Sequence, residues 1–278
     1  MDCLGNFLTM TFDKLFPKSK PIIAMVHLSA LPGSPLYNSK GGLNLIIENA
    51  RNDIKALQKA GVDAIMFGNE NDRPYELKVN RATLSTMAYM IGKVAEKINI
   101  PFGVNVLWDP ISTIALAAST NANFVREIFT GTYASDMGIW SPDAGKAMRY
   151  RNSLGRKDIQ MYYNISAEFA YSLDRRTIAE RAESTVFSSI PDAILVSGQI
   201  TGQVAKLDEI KEVSKIIPKT PVLANTGVNY NNVEDILLVT DGVIIGSSLK
   251  VNGDTWKNVD PKRAKKFMNK VKSIRKNA

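Results

Sequence analysis

The chain has 278 residues, 45% of them hydrophobic, a length that allows one or two domains and that closed strand–helix barrels of roughly 250 residues fill as one. One histidine and one cysteine, Cys3, exclude an internal disulfide framework and a zinc site built from several such ligands, which suits a reducing, cytoplasmic setting. The net charge of +8 equals the eight basic and no acidic residues of 261–278, so it describes one terminal helix face; Phe267 is the only aromatic there, and a nucleic-acid partner is not expected.

Residues 1–20 read as a segment that covers one end of the domain. They begin MDCLGNFLTM, with an acid at position 2 and no basic start, so a signal peptide is not expected. Eight short apolar runs then alternate with helical patterns. The first run is 21–27 (PIIAMVH); its helix, about 43–60, places Leu45, Ile46, Ala50, Ile54 and Leu57 at helical spacing and stops at Gly61. The second run, 64–67, precedes a helix at about 83–98. The third, 102–107 (FGVNVL), precedes one at about 111–119. The fourth, 124–128, leads into a long Gly/Ser-containing loop, 129–142, and then a helix at 143–154. The fifth, 159–165, is followed by a helix at about 175–188, the sixth, 193–196, by one at 208–217, and the seventh, 221–224, by one at 230–238. The eighth is 243–245, and the terminal helix spans about 261–276, with Pro261 in its first turn. No apolar run approaches the roughly 20 residues of a membrane span.

Eight strand–helix units imply a parallel sheet, and at this length closure into a (β/α)8 TIM barrel, one domain over 1–278, is the natural solution. An open doubly wound sheet is the alternative, but no GxGxxG follows the first strand. The extra residues 246–260 fit the short additional helix that phosphate-binding barrels often carry.

In such a barrel chemistry lies at the C-terminal ends of the strands. His27 ends the first strand, and its ordinary pKa of about 6.5 suits proton transfer, a structural histidine being the alternative. Glu70, with Asn69 and Asp72 beside it, follows the second and reads as a general base or metal ligand. Asn105 and Asn164 lie inside apolar strands, where an amide must bond neighbouring strands or meet a ligand. Asp109 is a catalytic candidate or the N-cap of the next helix. Arg126 and Glu127 are adjacent, so one faces the barrel interior; Glu127 joins the catalytic candidates. A divalent cation such as Mg²⁺ would draw on Glu70, Asp109 and Glu127.

The later strands carry the signature of a phosphate pocket. Ser197 and Gly198, then Thr201 and Gly202, follow the sixth; Asn225, Thr226 and Gly227 follow the seventh; Gly246, Ser247, Ser248 and Lys250 follow the eighth. Small residues there let backbone N–H groups approach an oxyanion, and Lys250 reads as a phosphate contact. Asp63, Asp192 and Asp241 precede strands two, six and eight, on the opposite face, and read as structural. The loop 129–142, with Tyr133, Asp136 and Trp140, is a candidate lid or an oligomer contact. Trp108 could stack on substrate or fill an interface.

AMVHLSALPGSP (24–35), GVDAIMFGNEND (61–72), PFGVNVLWDP (101–110), NFVREIFTGTYASDMGIW (123–140), PDAILVSGQITG (191–202), PVLANTGV (221–228) and DGVIIGSSLK (241–250) together resemble the BtpA family, named for a photosystem I biogenesis factor, and within it an SgcQ-like bacterial branch. The resemblance implies a barrel of the ribulose-phosphate-binding type. The chain departs from it after strand two, where many members read ENFGD and this chain reads GNEND (68–72). It departs again at strand five, where NISAEF (164–169) replaces a Lys-His pair. Two functions are expected. One is an enzyme on a phosphorylated sugar or related small phosphate ester, an isomerase, epimerase or aldolase, and a homo-oligomer. The other is a non-catalytic assembly or scaffolding protein that touches a membrane surface through its basic helix.

Overall fold

The computed structural model describes residues 10–277 apart from 19, 199, 201, 202 and 204. Cys3, Thr201, Gly202 and the first nine residues of the covering segment lie outside it. Helix α1 (Phe12–Leu15) comes first, followed by β1 (Ile22–His27), α2 (Gly42–Ala60), β2 (Ala64–Gly68), α3 (Arg81–Ala95), β3 (Phe102–Asn105), α4 (Pro110–Thr120) and β4 (Phe124–Glu127). A hairpin of β5 (Tyr133–Ser135) and β6 (Gly138–Trp140) precedes α5 (Ala144–Ser153) and β7 (Gln160–Asn164). Then come β8 (Ala170–Ser172), α6 (Ile178–Ser189), β9 (Ala193–Val196), α7 (Leu207–Ile216), β10 (Val222–Ala224), α8 (Val233–Val239), β11 (Gly242–Ile245) and α9 (Pro261–Asn277). Strands β1, β2, β3, β4, β7, β9, β10 and β11 pair in parallel, and β11 returns to β1, closing a (β/α)8 TIM barrel.

The alternation of side chains along each strand builds two layers. Ile22, Ala24 and Val26 of β1, Ile65 and Phe67 of β2, Val125 of β4 and Ile194 of β9 face the helices in the larger core cluster. Residues of the other parity, Ile23, Met25, Ala64, Met66, Phe124, Tyr162, Ala193, Leu195, Leu223 and Ile244, fill the interior. Phe12, Leu15 and Phe16 join that inner cluster from below, with Phe12 6.0 Å from the Tyr162 ring and Phe16 6.2 Å from Phe124. The N-terminal end of the barrel is thereby covered.

The same end is tied by a repeated contact. Asp63 accepts the Ile22 N–H at 2.8 Å, Asn123 that of Phe102 at 3.0 Å, Asp192 that of Met161 at 2.7 Å and Asp241 that of Val222 at 2.8 Å. Each residue precedes one strand and secures the start of its neighbour, which is the structural role that the position of these aspartates implied.

Two expectations change. The segment 129–142 is no open loop: its hairpin pairs with β8 in a three-stranded antiparallel sheet, β6-β5-β8. Tyr133 stacks on Trp140 at 4.9 Å, and Trp140 packs edge-on against Trp108 at 5.8 Å. A segment held by two strand pairings and a buried aromatic cluster is a wall, not a free lid. The segment 246–260 forms two single 3-10 turns, Ser247–Leu249 and Val251–Gly253, separated by Lys250, which bridges to Val259. No helix of the described residues is long and apolar enough to cross a membrane.

Candidate active site

Two residues beyond the apolar interior layer, the same parity of each strand turns polar. Met25 is followed by His27, Phe124 by Arg126, Tyr162 by Asn164, Leu195 by Ser197 and Leu223 by Asn225; Gly103 precedes Asn105 and Ile244 precedes Gly246. The strand geometry therefore directs one polar ring to the C-terminal mouth. A cavity of about 550 Å³ opens there, lined among others by His27, Glu70, Asn105, Arg126, Glu127 and Asn164.

Arg126 forms its floor. From β4 it donates through Nη1 to Asn225 Oδ1, just after β10, at 3.0 Å and through Nη2 to Asn105 Oδ1 on β3. Asn105 Nδ2 in turn donates to Glu127 Oε1 at 3.0 Å, and Asn225 Nδ2 to Ser197 Oγ at 2.7 Å. Glu127 also accepts the backbone N–H groups of Trp108, at 2.6 Å, and Ile128. Burial pushes the Glu127 carboxyl up to about 7, against the downward pull of those donors and of Arg126.

Glu70 stands above this floor. Its Oε1 lies 3.7 Å from His27 Nε2 and 3.9 Å from Arg126 Nη2, outside direct hydrogen-bond reach of either, and its buried Oε2 has no hydrogen-bond partner among the described residues. Burial raises its pKa, opposed chiefly by Arg126. Gly68 makes the position possible, since a Cβ there would fall 2.5 Å from both carboxylate oxygens.

His27 does not titrate near neutrality as its type implied. Burial, then Lys250 and Arg126, hold its pKa down to about 3, so its approach to Glu70 is no ion pair. Its Nδ1 lies 3.2 Å from the Thr255 carbonyl. That acceptor assigns the ring proton to Nδ1 and leaves a lone pair on Nε2, on the Glu70 side. Asn164 Oδ1 accepts from the Ser166 N–H at 3.1 Å, while its amide NH₂ makes no hydrogen bond among the described residues.

Asp109 is an N-cap: its carboxylate accepts the Ser112 N–H at 3.0 Å, the Ser112 hydroxyl at 2.7 Å and the Val79 N–H at 3.1 Å, and it does not line the cavity. Of the expected cation ligands, Asp109 caps α4, while Glu127 already accepts three N–H groups. Among the described residues no group of three His, Cys, Asp or Glu side chains is placed to hold a metal ion.

The phosphate candidates divide. The Ser197 N–H donates to Ser166 Oγ and the Gly198 N–H to Thr226 Oγ1, both at 2.6 Å, so neither remains for a ligand. The Thr226 hydroxyl donates to the Gln203 carbonyl at 2.8 Å, and that of Ser248 to the Val228 carbonyl at 2.9 Å, which ties the two glycine loops together. Asn225 belongs to the arginine floor. Lys250 is not a phosphate contact: it is fully buried, its Nζ donates to Asp53 of α2 at 3.0 Å, and Asp53 also accepts the Val259 N–H at 2.8 Å. What stays open are the N–H groups of Gly227, Gly246 and Ser247, which have no hydrogen-bond partner among the described residues and line the cavity.

The cation at these loops is Arg263, from the first turn of α9, which lines the cavity and donates through Nε to the Ser248 carbonyl at 3.0 Å. Sequence reasoning missed it because a basic helix reads as a solvated face. It also left Arg126 unresolved, although Phe124 two residues earlier supplies the signal: an apolar interior residue fixes the inward parity. At the rim, Arg73 of the loop after β2 lies 3.6 Å over the half-exposed Trp256 ring.

The sequence pattern of the BtpA family matches residues 18–273. The sgc region protein SgcQ of Escherichia coli is 45% identical over 256 residues, covering 92% of this chain and 96% of that protein. The photosystem I biogenesis protein BtpA of Synechocystis sp. is 30% identical over 260 residues, covering 93% and 90%. Among solved structures, phosphoribosyl anthranilate isomerase from Thermus thermophilus superposes with a TM-score of 0.55 at 10% sequence identity, over 91% of this chain and 99% of that one, a likeness of fold alone.

Proposed function

The chain belongs to the BtpA family, and from that footing we propose that its barrel is an enzyme that moves a proton on a small phosphorylated carbohydrate, as an isomerase or epimerase. The observation that carries this reading is Glu70: a buried carboxylate oxygen without a partner, set between a neutral imidazole and a guanidinium, beside a cavity. A carboxyl whose pKa is raised by burial is a stronger base than an exposed one. In this mechanism Glu70 takes the proton from the carbon next to the substrate carbonyl. The charge that develops on oxygen is stabilised by Arg126, already fixed in place by two amides. His27 Nε2 accepts from a substrate hydroxyl, and the Asn164 amide orients another. The phosphate rests on the N–H groups of Gly227, Gly246 and Ser247 with Arg263 beside it.

Aldol cleavage fits less well. Among the described residues no lysine lines the cavity to offer an amine for a Schiff base. A non-catalytic assembly role is the second reading. The feature that favours it is a groove of about 580 Å³ lined by Tyr230, Lys262, Lys265, Lys266 and Lys270, with two lysine ammoniums 4.6 and 5.0 Å from the Tyr230 ring. The experiment that separates the two follows solvent deuterium at the carbon next to the carbonyl in a panel of phosphosugars. Exchange that Glu70→Gln abolishes supports the enzyme. No exchange with any of them, together with sedimentation on anionic vesicles that charge reversal at Lys262, Lys265 and Lys266 removes, supports the assembly role.

A further inference from the structure

The proposed reaction uses half of the cavity, the part around His27, Glu70, Arg126 and the loops after β10 and β11. The other half is walled by Trp108 after β3, Ile128 after β4 and Phe169 after β7, with Tyr75 alongside. In the closed order of strands β3 lies four places from β10, and β4 four places from β11. The aromatic wall and the phosphate loops therefore face each other across the mouth.

Two of these aromatic residues hold a backbone conformation that bulky side chains avoid. Trp108 has φ 68° and Phe169 φ 55°, both left-handed, and they sit on different loops. Such outliers persist only where the surroundings enforce them, and they cluster at ligand-binding sites. The surroundings here do enforce Trp108: its backbone N–H is anchored on Glu127, and its ring is backed by Trp140. The Phe169 ring meets it at 6.3 Å with an interplanar angle of 75°, and the Tyr75 ring stands 6.2 Å from each. The Trp140 indole N–H donates to Ser135 Oγ at 3.2 Å, but that of Trp108 is buried with no partner among the described residues. A buried donor left unpaired is costly, and an acceptor on a ligand would satisfy it.

We infer that this wall receives a planar ring bearing a hydrogen-bond acceptor, so that the ligand is a phosphorylated glycoside of an unsaturated ring, in chemical class a nucleoside monophosphate, rather than a bare sugar phosphate. The phosphate lies at Gly227, Gly246 and Ser247, the sugar at Glu70 and Arg126, and the ring against Trp108 and Phe169. This goes beyond the proposed function and rests on its phosphate site: a nucleoside monophosphate has no sugar carbonyl beside which Glu70 could take a proton, so it is a ligand that competes with the substrate for the cavity. Flat π-systems gain from stacking on aromatic side chains, and the indole N–H adds selectivity for a ring with an acceptor at its edge.

Calorimetric titration of the intact protein with inorganic phosphate, ribose 5-phosphate, uridine 5′-monophosphate and guanosine 5′-monophosphate tests it. At least one nucleotide should bind ~10-fold or more tightly than ribose 5-phosphate, the gain expected for one stacked ring. Trp108→Phe, which keeps a ring and loses the N–H, should remove about fivefold of that gain and leave ribose 5-phosphate unchanged. If phosphate and ribose 5-phosphate bind and neither nucleotide binds more tightly, the inference is overturned while the phosphate site stands. If none of the four binds, the phosphate site falls and this inference with it. The comparison among ligands uses the unaltered protein, so it holds whether or not the variant folds.

Discussion

Arg126 reaches across the barrel: its Nη1 donates to Asn225 Oδ1 at 3.0 Å, from β4 to a strand three places away. Because Nη2 meets Asn105 on the adjacent strand, the guanidinium is held at two points and cannot rotate without breaking both. A cation so fixed needs no rearrangement when negative charge develops above it.

Replacing Arg126 should therefore affect chemistry more than binding. Arg126→Met leaves the Asn105 and Asn225 oxygens without their donor, and turnover should fall about 10²–10³-fold. Arg126→Lys keeps the charge but cannot bridge two amides at once, so it should recover little. Rate constants measured beside circular dichroism spectra check this. Near-normal turnover in Arg126→Met would remove the residue from the mechanism.

Glu70→Gln preserves shape and removes the base. Turnover should fall ~10²–10⁴-fold while substrate affinity changes little, read as kcat and KM separately. Since burial raises the Glu70 pKa, wild-type activity should climb with pH above the ordinary carboxylate range. A profile that levels off within the ordinary carboxylate range counts against Glu70 as the base.

Stability should carry an opposite trend from Glu127. Its folded pKa of about 7 lies above its ordinary 4.5, so the folded state binds the proton more tightly. The stabilisation is complete below pH 4.5 and is lost as pH rises through about 7. Glu127→Gln mimics the protonated form, so the wild type should lose thermal stability relative to the variant between those limits. His27 works the other way: with a depressed pKa its contribution is present above 6.5 and lost as pH falls toward 3. Melting temperatures of both proteins and of His27→Asn across pH 4–8 separate the two groups.

Lys250 and Asp53 should behave as a structural pair. Lys250→Met leaves a buried carboxylate with only the Val259 N–H, at a cost of about 3–5 kcal/mol. Adding Asp53→Leu should restore much of that loss, since an apolar pair has no charge to desolvate. Denaturant titration of the single and double variants measures this, and an additive double variant would mean the two do not act together.

Phosphate binding should show in thermal denaturation. At 100 times its dissociation constant, inorganic phosphate should stabilise the fold by ~2.7 kcal/mol. Gly246→Ala should abolish the shift, because the new Cβ would lie 3.0 Å from His27 Nε2. Arg263→Gln should weaken it. An undiminished shift in Gly246→Ala would move the anion elsewhere.

The barrel and most strand limits were legible because buried parallel strands are short β-branched runs bounded by turn residues. β9 matches its expected limits, and β1 differs by one residue. Helix starts were less legible. α6 begins at Ile178, not 175, because Thr177 and Glu180 form a capping box there. The hairpin of β5 and β6 went unread because three-residue strands with Ser, Gly and Ala carry no periodic signal. Within the site, His27, Glu70 and Asn105 could be found from strand ends alone. Lys250 could not be placed, because its partner Asp53 lies 197 positions away. Arg263 was hidden because its neighbours in sequence are solvated lysines.

The antiparallel sheet β6-β5-β8 also decides how traffic through the mouth is arranged. It joins the connection after β4 to the one after β7, so neither can swing without peeling strands and separating Tyr133 and Trp140 from Trp108. That side of the entrance is a fixed jamb. On the opposite side Arg73 lies on the half-exposed Trp256, a cation–π contact worth about 0.5–1 kcal/mol. The two sides of the mouth are thus held differently, by strand pairing and buried rings on one and by a guanidinium on an indole on the other.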